Sequence, residues 1–429
     1  MLLRLRNILS HSGFKRYSAH LSWMFAARIF TLGVSFLATI VIARALGPSN
    51  FGELDYALAI VGLFSTVANF GTSEVLYREL INRPGQQNEL LGTALGLRIA
   101  AGAVSALAVV AFALLTPVDT VSRILLIILS GMLPLDALAL FSQVSMAEAN
   151  AKIPSLISMG GWVVAAIVKI IFIASGKGAI WIAAAYILEH SLYGVAYVFA
   201  YRYFSHADGR LTFSGSLVPT FLKTGSALLL TGVFAMALAR IDQVFIRMLL
   251  GAEAVGLYSA GVRLVEIANI LPAAFVTGLY PAVLGARKTG EHVYARRVRL
   301  QFLVLAVCGA LVCLFLAILA HPLFALLFGN AFLPGVHAFR VYTLSIPATF
   351  IVYKINDVLY TDDLRKGLIA TTGLPAILNI LLNVFWIPKY GIIGAAWATT
   401  IALYCALIVP FLLPRSRQSL FKLFHPGQP

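Results

Sequence analysis

The chain has 429 residues, of which 60% are hydrophobic and only 11% are charged. An average soluble domain carries about 25% charged residues, so this composition excludes a soluble globular protein. The net charge of +15 raises nucleic acid as a partner. However, the Lys and Arg residues lie mainly between apolar blocks of roughly 20 residues, the length that crosses a bilayer. We therefore predict an all-α, polytopic transmembrane protein that contacts the lipid bilayer and no nucleic acid.

In chain order, the apolar blocks predict about 12 spans. They lie near 21–43, 53–77, 90–115, 122–147, 154–175, 178–201, 218–245, 253–284, 299–327, 336–360, 367–387 and 391–413. The predicted domains are a basic cytoplasmic N-terminus (1–20), an N-terminal six-helix bundle (21–203), a cytoplasmic linker (204–217), a C-terminal six-helix bundle (218–414) and a basic cytoplasmic tail (415–429). Because no connection is long enough to hold a soluble domain, the activity must reside within or between the helices.

The distribution of basic residues predicts the orientation of these spans. If the N-terminus is cytoplasmic, nineteen Lys and Arg residues fall in inner connections and five in outer ones. Basic residues are enriched in cytoplasmic loops, so this asymmetry predicts that both termini are cytoplasmic and that the number of spans is even.

The stretch RALGPSNFG, residues 44–52, separates the first two spans. Pro48 disfavours helical conformation at Gly47, so the first span is predicted to end there. Asn50 is predicted to cap the next helix, with Glu53 completing a capping box. The sequence therefore predicts a tight turn on the outer side of the membrane.

Two features of the first half recur in the second half. LGPSNFG at 46–52 resembles LGAEAVG at 250–256, and the stretch around Gly178 resembles the stretch around Gly391. The two offsets are similar, and each matched pair has the same predicted position relative to the membrane. We therefore predict two six-helix bundles that form a parallel pseudo-two-fold repeat, an arrangement that permits alternating access.

Several charged residues fall inside the predicted spans, where each costs about 2.5–3.5 kcal/mol unless it has a partner or faces water. Three combinations, Glu74–Arg78, Arg263–Glu266 and Lys354–Asp357, have the spacing of neighbours on one helix face. They can be neutralised structural pairs. Alternatively, they belong with the predicted ion or charge-relay partners, which are Glu74, Arg78, Asp242, Glu266, Lys354 and Asp357. Lys169 is predicted to extend towards the membrane surface, and Glu189–His190 is equally compatible with a structural role.

Arginines without a nearby acid are the strongest candidate site residues. Arg28, Arg98 and Arg240 have no acidic residue three or four positions away. Together with Arg263 they are the predicted substrate-binding residues of a cationic cavity. Because the planar guanidinium group suits phosphate oxygens, they indicate an anionic cargo with a phosphate group. The alternative is that they only hold helices together.

The sequence lacks the common motifs of enzymes. The sequence contains no Walker loop, no HExxH, no GxSxG and no Cys/His metal spacing. We therefore predict a transporter with no catalytic residue, no cofactor and no metal site. A membrane-embedded glycan polymerase or ligase is a less favoured alternative, because it would need a large periplasmic loop or a catalytic carboxylate loop.

The first 80 residues resemble the polysaccharide biosynthesis (PST) family, which includes the Wzx-type flippases. That family belongs to the superfamily of multidrug, oligosaccharidyl-lipid and polysaccharide exporters. The resemblance is carried by Ala43-Arg44, Leu46-Gly47-Pro48, Phe51-Gly52, Tyr56-Ala57, Gly71 and Arg78-Glu79.

The resemblance implies a V-shaped pair of six-helix bundles in the bacterial inner membrane. It implies flipping of an undecaprenyl-pyrophosphate-linked oligosaccharide repeat unit from the cytoplasmic to the periplasmic leaflet, for O-antigen, capsule or exopolysaccharide assembly. Polysaccharide polymerase and chain-length proteins are then further candidate partners. The alternative within the superfamily is an ion-coupled small-molecule exporter of the multidrug type, although the lone arginines argue against a cationic cargo.

Overall fold

The computed structural model of the chain describes residues 12–204 and 210–424, and all regular structure in these residues is helical. Parts of the predicted N-terminus, linker and tail lie outside the described residues. The α-helices are α1 Ser12–Asn69, α2 Thr72–Asn82, α3 Gln87–Leu115, α4 Thr120–Ser130, α5 Met132–Leu135, α6 Phe141–Ala147, α7 Lys152–Ala174, α8 Ala179–Phe204, α9 Val218–Leu250, α10 Ala252–Ala268, α11 Ile270–Thr289, α12 Glu291–Ile318, α13 Ala320–Leu323, α14 Val336–Thr343, α15 Ser345–Thr361, α16 Arg365–Leu412 and α17 Pro414–Phe424.

Within the described residues, nine helical stretches are long and apolar enough to cross a membrane, so the chain is a multi-pass membrane protein. Two of these stretches, Ser22–Asn82 and Arg365–Leu412, each contain two of the predicted spans. The predicted span 336–360 is not among the nine; it consists of two helices, α14 and α15, which are separated by Leu344. The number 12 therefore stays a prediction.

The chain divides into two compact units. Unit 1 contains the described residues of Met1–Ile42 and Ile60–Leu229, and unit 2 contains those of Ala43–Ala59 and Leu230–Pro429. Within unit 1, α2, α3, α6 and α9 share a buried cluster formed by Val75, Leu76, Leu80, Leu90, Leu91, Ala94, Leu140, Phe141, Val144, Leu217 and Phe221. Within unit 2, α17 packs through Leu420 and Leu423 against α11, α12 and α15.

Gly47 interrupts α1 at the predicted turn. Its φ of 69° and ψ of 172° lie in a region that favours glycine, and Pro48 begins the second segment of the helix. The prediction for Asn50 is wrong: this residue lies inside the helix, and its side-chain amide donates to the Leu46 carbonyl at 3.2 Å. The reason is that Pro48 has the φ of a first helical residue, so the helix resumes at Pro48 and Asn50 already lies in its first turn.

The turn has a structural counterpart at Gly251, which precedes α10 with a φ of 93° and a ψ of 178°. The two turns are in contact inside unit 2. A β-carbon on Gly52 would overlap the Ala252 carbonyl, and one on Gly256 would overlap the Pro48 carbonyl. The two backbones therefore cross at a distance that only glycine permits. Gly52 and Gly256 occupy matching positions in the two similar stretches, so the two contacts are related by the repeat.

Part of the predicted linker is packed against α3. The Thr212 amide donates to the Asn88 carbonyl at 3.4 Å, and the Ser214 amide donates to Thr93 Oγ1 at 2.9 Å. Gly92 allows this approach, because a β-carbon there would overlap the Thr212 backbone. Residues 210–217 thus form part of unit 1.

Candidate functional site

A break between α1 and α2 creates the setting of the first candidate site. Phe70 and Gly71 both have positive φ, 46° and 65°, so α1 ends and α2 begins in a new direction at Thr72. Gly225 of α9 packs against the Phe70 carbonyl, where no β-carbon would fit. The N-terminus of α2 is therefore held in place inside unit 1.

Arg98 extends from α3 to this break. Its Nη1 lies 2.6 Å from Ser73 Oγ, 2.7 Å from Asn69 Oδ1 and 3.5 Å from Thr72 Oγ1. The residue is 9% exposed. These three hydrogen-bond partners of Arg98 in the described part of the chain are all neutral oxygens.

This arrangement favours an anion. Neutral partners leave the charge of Arg98 uncompensated by direct ion pairing, and the N-terminus of α2 adds a partial positive charge. Two carboxylates, Glu74 and Asp136, interact with Arg98 only through longer-range charge attraction. Arg98 can therefore hold a phosphate group without first breaking an ion pair.

A histidine–carboxylate pair lies close to this site. His190 of α8 places Nε2 3.3 Å from Asp136 Oδ1 and Nδ1 2.9 Å from the Tyr186 carbonyl. Ser65 donates to Asp136 Oδ2 at 3.4 Å, and the Tyr193 ring lies 5.0 Å from the His190 ring, between centroids. The sequence alone did not connect Asp136 with His190, since 54 positions separate them.

The neighbouring Glu189 has a different partner. Lys169 Nζ lies 2.6 Å from Glu189 Oε2 and 3.5 Å from the centre of the Tyr186 ring. Lys169 is 2% exposed and Glu189 is 1% exposed. The prediction that Lys169 extends to the membrane surface is therefore wrong, because its charge is compensated by a carboxylate and an aromatic ring inside unit 1.

In unit 2, carboxylates surround the arginines. Arg240 Nη2 lies 2.6 Å from Glu266 Oε1, and Arg263 Nη1 lies 3.0 Å from Glu266 Oε2. Arg263 also forms an ion pair with Asp55, which is 2% exposed. The Arg263–Glu266 pair predicted from its spacing is present, and Arg240 has an acidic partner on another helix.

The sequence analysis did not identify two carboxylates of unit 2, Asp55 and Glu53, as partners of arginines. Asp55 pairs with Arg263, and Glu53 pairs with Arg247 at 2.9 Å. The sequence feature that could have indicated them is the presence of two acidic residues in the otherwise apolar run ELDYALAIVGLF. Their partners lie about 200 positions away, beyond the reach of spacing within one helix.

Asp242 lies in a buried network of polar oxygens and amides. Its Oδ2 accepts from the Tyr258 hydroxyl and lies 3.4 Å from Thr399 Oγ1. Asn379 donates to Thr399 at 3.1 Å, and Asn383 donates to Asn379 at 3.0 Å. The side chains that hydrogen-bond to Asp242 in this network are neutral. Within the described residues, no cluster of three or more His, Cys, Asp or Glu residues could hold a metal ion.

The two remaining predicted pairs differ in outcome. Lys354 Nζ lies 2.6 Å from Asp357 Oδ2, as its spacing predicted, and Lys354 is 1% exposed. Arg78 pairs with Glu79 at 3.1 Å, so the predicted Glu74–Arg78 pair is wrong. The reason is that Glu79 is buried and requires compensation, whereas Glu74 is exposed.

The four predicted arginines therefore have three different environments. Arg240 and Arg263 are joined through Glu266 in unit 2. Arg98 is buried among neutral oxygens in unit 1, and Arg28 is exposed on α1.

Comparisons with known proteins agree on one class of fold. Residues 18–284 match the family model described as "Polysaccharide biosynthesis protein". The chain is similar to the lipid II flippase MurJ in an inward closed conformation, with a TM-score of 0.73, 18% identity, and coverage of 94% of this chain and 91% of that one. No match to a curated protein sequence was found.

Multidrug transporters share this fold. An inward-facing MATE family transporter of the MOP superfamily has a TM-score of 0.70 and 16% identity, with 93% of this chain and 96% of that chain covered. A mutant of the Vibrio cholerae MATE transporter VcmN has a TM-score of 0.63 and 16% identity, with 96% of this chain and 98% of that chain covered. At these identities the similarity establishes the fold and not the cargo.

Proposed function

Because the chain belongs to the polysaccharide biosynthesis protein family, we propose that it flips a lipid-linked oligosaccharide across the bacterial inner membrane. The cargo of this proposal is an undecaprenyl-pyrophosphate-linked repeat unit for O-antigen, capsule or exopolysaccharide. It moves from the cytoplasmic to the periplasmic leaflet by alternating access, with both protein termini cytoplasmic. The protein acts as a transporter and not as an enzyme.

The observation that carries the proposal is the environment of Arg98. A buried guanidinium group with three neutral partners, next to a helix N-terminus, suits a pyrophosphate. Asn69, Thr72 and Ser73 offer amide and hydroxyl groups that can turn from Arg98 to phosphate oxygens. The site therefore recognises the part of the cargo that is common to all lipid-linked repeat units, and other surfaces recognise the sugars.

In this proposal the arginines of unit 2 act later than Arg98. Arg240 and Arg263 share Glu266, whose side chain is 37% exposed, so phosphate can replace this carboxylate only when Glu266 withdraws. Arg28, exposed on α1, needs no such exchange. The order in which the arginines contact the cargo then depends on how strongly each one is already paired with carboxylates of the protein.

Asp242 is the carboxylate that best suits a coupling cation or proton. It is 1% exposed, and its hydroxyl partners Tyr258 and Thr399 can each turn an oxygen towards a cation. Hard monovalent and divalent cations prefer such oxygen ligands. In contrast, Glu266, Lys354 and Asp357 are already engaged in ion pairs, and Arg78 is paired with Glu79.

Deletion of the gene tests the proposal in cells. Lipid-linked repeat units should accumulate in the cytoplasmic leaflet, and the wild-type gene should restore their export. Arg98→Ala should reduce export by about ten- to one hundredfold, because a hydrogen bond to a charged group contributes about 1.5–3 kcal/mol. The measurement is the fraction of repeat units accessible from the periplasm.

Arg202→Ala is the matched control, since Arg202 is an exposed arginine in the last turn of α8. It should export like the wild type at equal protein abundance. Normal glycan export in the deletion strain, together with a gain in drug sensitivity, would contradict the proposal.

That contradictory outcome defines the second candidate function, an ion-coupled small-molecule exporter. The fold shared with MATE transporters and the buried carboxylate Asp242 favour it. The two functions differ in their cargo, so the deletion strain separates them directly.

A further inference from the structure

The contact between His190 and Asp136 is satisfied when the pair holds one proton. Nδ1 of His190 lies 2.9 Å from the Tyr186 carbonyl, which can only accept, so Nδ1 carries a hydrogen. In a neutral imidazole the other nitrogen, Nε2, is then an acceptor. Nε2 faces Asp136 Oδ1 at 3.3 Å, and two acceptors would repel each other there.

Two arrangements satisfy this contact. Either the imidazole is doubly protonated and faces a carboxylate, or a neutral imidazole accepts from a protonated carboxyl group of Asp136. Both carry one proton on the pair and no net charge. Loss of that proton leaves a net charge of −1 and removes the attraction that holds Nε2 against Oδ1.

The pair lies about one helical turn from the anion site. Ser65 and Asn69 are four residues apart on α1, so their side chains lie on one face, roughly 5–6 Å apart at the β-carbons. Ser65 donates to Asp136, and Asn69 accepts from Arg98. Asp136 is therefore near enough to attract the charge of Arg98 without forming an ion pair with it.

The surrounding charges leave this interaction intact. Glu189 lies next to His190 in sequence but is neutralised by Lys169 at 2.6 Å. The other groups near the pair or Arg98 are the neutral side chain of Tyr193, whose ring contacts the His190 ring, and the carboxylate of Glu74, which is exposed. The net charge near Arg98 thus changes mainly through the proton on the His190–Asp136 pair.

We propose that His190 and Asp136 form a proton-binding site whose occupancy strengthens anion binding at Arg98. Binding of a proton to the pair changes its net charge from −1 to zero. This removes a negative charge that competes with the anion for Arg98. By thermodynamic linkage, anion binding must promote proton uptake by the same factor. This inference rests on the proposed anion site, and it supplies a reason for cargo binding to depend on pH.

The test uses the full-length protein in lipid nanodiscs and inorganic pyrophosphate as the probe. Affinity of the wild type should increase by about tenfold from alkaline to acidic pH, within the usual range of allosteric coupling. A pH indicator in weak buffer should report proton uptake when pyrophosphate binds. In both His190→Gln and Asp136→Asn, the pH dependence and the uptake should fall to the part that the titration of pyrophosphate itself contributes. His337→Gln, an exposed histidine of unit 2, should behave like the wild type.

Nitrogen NMR of labelled histidine gives an independent readout. Nδ1 of His190 should keep its hydrogen in both states, while proton exchange occurs at Nε2 or at Asp136. A neutral His190 with its hydrogen on Nε2 would overturn the proposal. So would unchanged pH dependence in both variants, or absence of pyrophosphate binding by the wild type. Proton-linked pyrophosphate binding without oligosaccharide export would instead overturn the proposed function and leave this inference standing.

Discussion

Arg98 of unit 1 and Arg263 of unit 2 are held in opposite ways. Arg98 in unit 1 makes its hydrogen bonds with neutral oxygens, whereas Arg263 in unit 2 is held by the carboxylates of Asp55 and Glu266. A guanidinium group surrounded by neutral oxygens keeps its charge available to a ligand. One that is already ion-paired contributes mainly to the position of its helices. In the proposed function, Arg98 can therefore bind the cargo directly, whereas Arg263 must first exchange a carboxylate partner.

The largest expected effect is the loss of Arg263. Arg263→Met leaves Asp55, which is 2% exposed, without its ion pair, and breaking such a pair costs about 3–5 kcal/mol. The purified variant should show a clearly lower Tm and reduced abundance in the membrane. The double variant Asp55→Asn/Arg263→Gln should recover most of the loss. Equal losses of stability in Arg98→Met and Arg263→Met would remove the distinction between the two units.

A smaller loss is expected at the crossing of the two repeated turns. Gly52→Ala and Gly256→Ala each place a methyl group against backbone atoms, and overpacking costs about 1–3 kcal/mol or more. Gly52 precedes Asp55 by one helical turn, so Gly52→Ala and Arg263→Met should be less than additive in thermal unfolding. The controls are Gly33→Ala and Gly160→Ala, since a β-carbon meets nothing within 4 Å at either position. Equal destabilisation of the control variants would contradict the close contact between the two turns.

Arg98→Lys tests whether cargo binding needs the planar guanidinium group of Arg98 or only its positive charge. Lysine keeps the charge but cannot form two parallel hydrogen bonds to a phosphate, so it should bind a pyrophosphate less well. Export of lipid-linked repeat units should fall by about tenfold at unchanged protein abundance. Full activity of Arg98→Lys would indicate that Arg98 acts only through its charge.

The smallest effect is expected for Ser73→Ala. This change removes a hydroxyl group 2.6 Å from Arg98 Nη1, and one such hydrogen bond contributes about 1 kcal/mol. Export should decrease by about fivefold, with no change in Tm beyond that of Ser226→Ala, an exposed serine. A Ser73→Ala protein that is strongly destabilised would instead place Ser73 with the structural residues.

The parts of this architecture that depend on local sequence were predictable. Long apolar blocks predicted the helices, and Pro48 after Gly47 predicted the position of the first turn, because proline and glycine restrict the backbone directly. The Lys354–Asp357 and Arg263–Glu266 pairs were predictable because three residues separate the partners on one helix.

The environments of the candidate arginines were not predictable in the same way. Arg240 and Arg98 looked alike in sequence, since neither has a nearby acid. Their partners come from other helices and are brought in by packing, which one sequence does not specify. The pairing of Asp55 with Arg263 and of Asp136 with His190 required the three-dimensional arrangement for the same reason.

The most direct measurement is flipping by the purified protein in liposomes that contain a fluorescent undecaprenyl-pyrophosphate oligosaccharide. The wild type should move this lipid between leaflets much faster than protein-free liposomes, Arg202→Ala should match the wild type, and Arg98→Ala should be strongly slowed. Movement no faster than in protein-free liposomes, or equal rates for Arg98→Ala and the wild type, would contradict the account.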